Sequence, residues 1–346
     1  MKWITSLFLV FIFLSCTSNQ KQRNIDSLEI QEFKIQGTSI RAIHAVNKKS
    51  VYYAGSNGAI GFTNDGGQSW AKKTLTYSDS ITPNFRSISL NNKNVFALSI
   101  SNPALLYKIS SLDTILVYKE IHEKVFYDSL HFFDDGIHAI AVGDPTEDCP
   151  SIIISSNSGK SWHKINCNSL PKFEEGEAFF AASNTNIKTL GSTVWIVSGG
   201  KKARVLKSTD FGKSWKIYNT PIIQGDGPQG IYSIDMANLN EGIIIGGDYS
   251  NPNKNYANKA ITKNGGKNWI LVSNNQEPNY KSCVTYVPDT NGKEIFAVGK
   301  TGISFSNDGG LTWKNISDEA YFTITFVDKY TAWLGGNEKM GKIILK

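Results

Sequence analysis

One eight-residue pattern returns through the chain and limits what it can fold into. TNDGGQSW begins at Thr63, and relatives follow as SSNSGKSW from Ser155, STDFGKSW from Ser208, TKNGGKNW from Thr262 and SNDGGLTW from Ser306. The closing residues Trp70, Trp162, Trp215, Trp269 and Trp313 are 92, 53, 54 and 44 residues apart. The first gap is a double period. At its midpoint, Ser111 to Tyr118 keeps Ser, Asp113 and an aromatic but loses the Gly, so a sixth, degraded copy is expected there. A period of roughly 45 residues marks a chain built from repeated units that each need their neighbours to bury an apolar face.

Upstream of each box the same order recurs: an apolar strand, a turn, a second apolar strand ending in Gly, another turn, and a third strand running into the box. In the first unit these strands are 40–46, Val51–Gly55 and Ala59–Thr63, and a fourth follows Trp70. No helical period interrupts them. The expected fold class is all-β, a seven-bladed β-propeller of four-stranded antiparallel blades. The blades fall at about 39–74, 84–121, 125–166, 177–221, 230–273, 282–317 and 321–346. The last blade lacks a fourth strand, and 29–36 is its expected donor, closing the ring and leaving no unpaired edge.

The N-terminus is set apart from this domain (29–346). Lys2, the apolar run Trp3 to Leu14 and then Ser15-Cys16 read as an export signal. The segment resembles a bacterial lipoprotein signal, which implies cleavage before Cys16, lipidation of that residue, and 17–28 as a polar tether. An ordinary signal peptide with an incidental Cys is the alternative. Export into an oxidising compartment makes Cys149 and Cys167, in neighbouring loops of one repeat, a candidate disulfide, with Cys283 left as a small buried hydrophobe. The net charge of +6 is almost all lysine, since Arg23, Arg41, Arg86 and Arg204 are the only arginines, and no dense basic run occurs. This argues against a nucleic-acid partner.

Within the box, a carboxylate or amide can lock a hairpin turn by accepting backbone N–H bonds. Asn157 and Asn264 stand where Asp65, Asp210 and Asp308 stand in other copies. That exchange would ruin a metal site or a general acid and hardly disturbs a turn, so the five acid or amide positions and their tryptophans read as structural. The pattern resembles the Asp-box of sialidase-type and related propellers. The segments GEAFFAASNTNI from Gly176, SGGKKARVLKSTDFGKSW from Ser198, GGDY from Gly246 and YKSCVTYVP from Tyr280 resemble exported bacterial propellers similar to the photosystem II stability/assembly factor, often labelled "oxidoreductase".

The resemblance implies boxes on one rim and function on the opposite face. Strand-two-to-three and blade-to-blade loops open there, offering Asp144, Glu177, Asp248, Tyr249, Tyr280 and Lys281. The first residues of the inner strands form a ring at the channel mouth: Arg41, Arg86, Asp128, Phe180, Tyr232, Cys283 and Phe322. Arg41 and Arg86 are placed to clamp a carboxylate, or else to pair with Asp128 and backbone carbonyls. Arg204 and Asp248 match the resembled family's motif positions and, with Glu177 and Ser183, complete the candidate site; an inter-blade salt-bridge network is the bland alternative.

A sialidase-like hydrolase would need three converging arginines and a Tyr with a neighbouring Glu, for which Arg204 and Tyr232 are available, but Arg41 is followed by Ala-Ile rather than Ile-Pro. No dinucleotide turn, CxxC or metal-spaced histidine set supports redox chemistry, although His131 and His138 flank one turn. The reading is a lipid-anchored envelope protein without cofactor, metal or catalytic residues, binding a protein, peptide or glycan. Glycoside hydrolysis, or an enzyme of the kind the "oxidoreductase" label implies, is the alternative.

Overall fold

The computed structural model describes residues 23–346, apart from Asp79 and Asn92; Cys16 and the export segment lie outside the described residues. The described chain is all-β, with one short 3-10 turn, and its strands form antiparallel sheets. Four sheets are simple four-stranded meanders, at 85–120, 127–164, 187–219 and 283–317. Two more are larger. In one, Glu177–Ala178 and Gly199–Gly200 join the edge of the meander 229–271 through a Gly199–Gly230 bridge. A Cβ on Gly230 would lie 2.4 Å from the Gly199 Cα, so this backbone contact requires glycine. In the other, Ile30–Ala45 serves two groups of strands. Its first half pairs with Asn337–Ile344, while its second half pairs with Val51–Gly55.

The first strands of successive sheets touch in cyclic order: Ile30–Ala45, Phe85–Leu90, Tyr127–Phe132, Ile187–Leu190, Gln229–Met236, Cys283–Tyr286, Thr323–Asp328 and back to Ile30–Ala45. Their alternation of apolar and small residues follows from burial on both faces between neighbouring sheets. The core is correspondingly a chain of inter-sheet clusters rather than one central mass. Cys149 and Cys167 are disulfide-bonded, with Cα atoms 5.7 Å apart, and Cys283 is a fully buried free thiol.

The five boxes share one bonding scheme. In the first, Asp65 Oδ1 accepts from the Ser69 N–H at 3.0 Å and the Thr63 hydroxyl at 2.7 Å, while the Gly67 N–H donates to Thr63 Oγ1 at 3.0 Å. Asn157 and Asn264 make the same Oδ1 contacts, to Ser161 N and Asn268 N at 3.0 and 2.9 Å. Charge is therefore dispensable to the turn. Trp162, Trp215, Trp269 and Trp313 each donate from Nε1 to a box glycine carbonyl, at 3.3, 2.9, 3.0 and 2.9 Å. Trp70 does not, and its ring packs instead on Phe33 and Trp333.

The sixth copy expected at 111–118 is not a box. Ser110 to Asp113 is a tight turn held by Ser110 Oγ, and Tyr118 lies well inside the strand Thr114–Glu120, opposite Leu106. In each true box the Trp directly precedes the fourth strand; here that place belongs to Asp113, and only a short hairpin turn stands where the box would be.

Candidate functional site

The face opposite the boxes carries the channel mouth, and a shared backbone device aims residues into it. At the start of four inner strands the pairing register slips by one residue, between Ile40 and Ala42, Phe85 and Ser87, Tyr127 and Ser129, and Ile231 and Ser233. The residue skipped is Arg41, Arg86, Asp128 or Tyr232. A bulge of this kind turns one side chain out of the sheet's alternation. Four members of the expected ring thus owe their direction to bulges.

Phe180 does not belong to that ring by the same route. The inner strand of its unit begins only at Ile187, and the preceding segment leaves the sheet and enters the channel. The phrase FFAA has strand-like residues, but Ser183, Asn184, Thr185 and Asn186 follow, and the first three bond to other units. Asn184 Oδ1 accepts from Leu130 N, and its Nδ2 donates to the Ile88 carbonyl, both at 2.9 Å. Ser183 Oγ donates to the Ser282 carbonyl at 2.7 Å, and its own carbonyl accepts from Thr323 Oγ1 at 3.1 Å. Thr185 Oγ1 meets Ser233 Oγ at 2.7 Å, while the Thr185 carbonyl accepts from Ile234 N at 2.9 Å. Inner strands are edge strands toward the channel, and this plug satisfies polar groups that would otherwise face it.

The plug separates the expected site residues into spent and available groups. Ser183 is buried among the bonds just described. Glu177, at the plug's entrance, is bidentate with Arg204: Nε to Oε1 at 2.9 Å and Nη2 to Oε2 at 2.5 Å. Ser198 adds a third bond to Glu177, and Arg204 also reaches the Lys172 carbonyl and the Phe173 ring. Lys281 is fully buried and donates to the carbonyls of Thr301 and Gly302, and burial lowers its ammonium to about 8. Asp248 caps its own loop through Ser250 N and Asn251. The sequence offers these residues as ligand contacts, and in the structure each is already bonded within the protein. The salt-bridge alternative holds for Glu177 and Arg204.

Arg41 and Arg86 are different. Each guanidinium makes one hydrogen bond, to the carbonyls of Ala182 at 3.4 Å and Ala181 at 3.2 Å. Neither forms an ion pair among the described residues. Burial and then the adjacent Arg86 lower Arg41, and burial lowers Arg86 against the raising influence of Asp128. Arg41 lies over Phe322 at 3.9 Å, and Tyr249 and Tyr280 are close enough to act on it electrostatically. Tyr280 is packed edge-on against Tyr232 and Tyr249, and Lys300 covers the Tyr249 ring at 3.7 Å. The mouth is therefore cationic and aromatic. Its two arginines would both gain from an anion.

Asp128 does not supply that anion by contact. Its carboxyl is completely buried and neither oxygen has a side-chain hydrogen-bond partner. Burial, reinforced by Asp144, raises it well above its ordinary value, against the lowering influence of Arg86. Asp144 accepts from Phe179 N at 2.7 Å and is raised to about 6 by burial. Both carboxyls were expected on this face, and Asp128 as a partner of Arg86, but their influence on each other was not legible in the sequence.

The hydrolase arrangement is not assembled. Arg204 is engaged with Glu177 rather than with Arg41 and Arg86, and the Tyr232 hydroxyl donates to the Pro228 carbonyl at 2.7 Å. His131 and His138 do not share a site: His131 Nε2 contacts the Asn184 carbonyl, while His138 pairs with Asp135 and stacks on Phe211.

No family model and no curated protein matches the chain. Solved structures do. YCF48 bound to D1 peptide superposes with TM-score 0.65 at 14% identity, over 93% of this chain and 100% of that one. YCF48 from Cyanidioschyzon merolae gives 0.57 at 14%, over 91% and 98%. The WD40 repeats of RRP9 give 0.65 at 10%, over 93% and 100%. At such identities the likeness carries the fold, a β-propeller, and nothing of the ligand.

Proposed function

We propose that this chain is a seven-bladed propeller, closed by its N-terminal strand, that acts as a non-catalytic binding module through the Arg41–Arg86 mouth. Its partner is a protein or peptide presenting a carboxylate. The observation that carries the reading is the pair of adjacent guanidiniums, aimed into the mouth by bulges and free of ion pairs among the described residues, beside the tyrosines 249 and 280. Arg–carboxylate recognition is bidentate and strong where water is partly excluded. YCF48 binds a peptide on a propeller of this kind, which supports a peptide rather than a glycan ligand here. The sequence resemblance to an assembly factor points the same way.

The same proposal places the protein in the bacterial envelope, exported and held by lipid on Cys16, with the expected tether shortened at its C-terminal end because residues 23–28 pack on the propeller. Metabolic labelling with an alkyne fatty acid should tag the wild-type chain and not Cys16→Ala; equal labelling of both would remove the anchor from the proposal. For the mouth, the Arg41→Gln/Arg86→Gln variant should fold normally and lose recovery of cross-linked envelope partners. Undiminished recovery of the same partners would show that the mouth is not the binding site.

A further inference from the structure

Each box tryptophan packs not only under its own turn but on a neighbouring unit. Trp162 meets Phe96, Trp269 lies in one cluster with Trp195, Trp313 packs with Ile243 and Ile261, and Trp70 meets Trp333. Trp215 likewise joins the cluster of Ile140 and Ile154. The box is thus a plug for an inter-unit groove as well as a turn lock.

Two grooves lack a box. Over Phe296 and Phe305, the position is taken by the linear segment 23–28. Ile25 and Leu28 pack on that cluster, Arg23 pairs with Glu294, and Asp26 pairs with Lys314. The molecule itself therefore shows an extended peptide, anchored by an apolar residue and flanking charges, filling the place of a box. The other groove lies between 40–74 and 85–120, where the turn Ser110 to Asp113 is too short to reach. Among the described residues it stays open, with a volume of about 590 Å³.

Its floor is Tyr52, Ile60, Phe62, Leu75, Val95 and Ile109. Phe62, stacked on Tyr52, is 38% exposed, and the adjoining turn leaves Leu112 95% exposed. Phe62 directly precedes its box, as Ile154 and Ile261 do, so it occupies the position on which the next unit's Trp would rest. Lysines line the rim and no acidic residue does. Lys73 reaches only the Thr114 hydroxyl, at 2.9 Å, and the Lys93 ammonium has no partner among the described residues. Lys72 is tied to Gln36 and Thr38. Asp113, on the same turn, directs its carboxylate to Thr114 N.

We propose that this vacant groove docks a linear acidic peptide of a partner protein, seating one aromatic side chain where the missing Trp would lie and setting carboxylates against Lys73 and Lys93. The site is independent of the arginine mouth. Charge complementarity selects the flanks, and the place left by the missing Trp beside Phe62 selects the anchor.

Fluorescence anisotropy with a labelled EDWDE peptide and the full folded domain tests this. Saturable binding is expected, weakened about tenfold or more by Phe62→Glu and by Lys73→Glu/Lys93→Glu. EDADE and KKWKK should not bind. Replacing Ser110 to Asp113 with SNDGGLTW should fill the groove, abolish binding and raise the urea midpoint. Absence of saturable binding, equal binding of KKWKK, or binding unaffected by Phe62→Glu would overturn the proposal. So would a concentration-dependent dimer that Phe62→Glu dissolves, which would make a second copy the occupant.

Discussion

The box rim and the channel plug are built from the same small polar residues, yet they differ in reach. In a box, Asp or Asn bonds residues two to four positions away, as Asp308 does to Ser306 and Thr312. In the plug, Asn184 bonds residues 54 and 96 positions away, and Ser183 one that is 99 away. The polar bonds of a box stay within its own turn, and the turn at Ser110 shows a unit standing without them. A plug serves several inner strands at once, so its failure would spread.

That contrast makes the largest expected effect a plug effect. Glu177 opens the plug segment, and its side chain has no exposed surface. Glu177→Ala strands the mostly buried Arg204 without a counter-charge, and breaking a buried pair from one side costs about 3–5 kcal/mol. Urea unfolding should show it, and a change below about 1 kcal/mol would mean that Arg204 finds water instead. Asn184→Ala comes next. It orphans Leu130 N and the Ile88 carbonyl and leaves a residue with φ of 61° without its amide. The expected loss is about 2–4 kcal/mol, with hydrogen exchange rising at the inner strands of neighbouring units. Exchange confined to 180–186 would reduce the plug to passive filling. Asp308→Ala should cost about 1 kcal/mol, in the manner of a lost cap, and Asp308→Asn close to nothing. An appreciable cost for Asp308→Asn would contradict the lesson of Asn157 and Asn264.

The same contrast explains what the sequence disclosed. The boxes were legible because five copies of a short-range bonding pattern align, and strand order followed from their spacing. The plug was hidden because Phe179 to Ala182 has the composition of an inner strand, and nothing within the segment signals that its amides serve distant partners. The bulges at Arg41 and Arg86 were hidden too, although the residues themselves were found. Glu177 and Arg204 drew attention as charges within the motifs of the resembled family, but charge type alone does not separate a ligand contact from an internal ion pair. The vacancy beside Phe62 could have been inferred from the missing Gly at Ile115, had each Trp been understood to serve a neighbouring unit as well as its own.

Acid should weigh the two ends of the channel against each other. Burial lowers His44 and His131, toward the box end, to about 4. Their folded forms bind fewer protons than the unfolded chain between about pH 6.5 and 4, so the stability they allow at neutral pH is lost as pH falls through that window. Asp144, at the mouth end, is raised to about 6 by burial. Its folded form binds more protons than the unfolded chain between about pH 6 and 4, so its contribution is present at low pH and lost as pH rises. The two slopes oppose each other. Asp144→Asn should remove the compensation and steepen the fall in urea midpoint from pH 7 to 4.5, while His131→Gln should flatten it. If Asp144→Asn left the profile unchanged, burial would not be raising the Asp144 carboxyl.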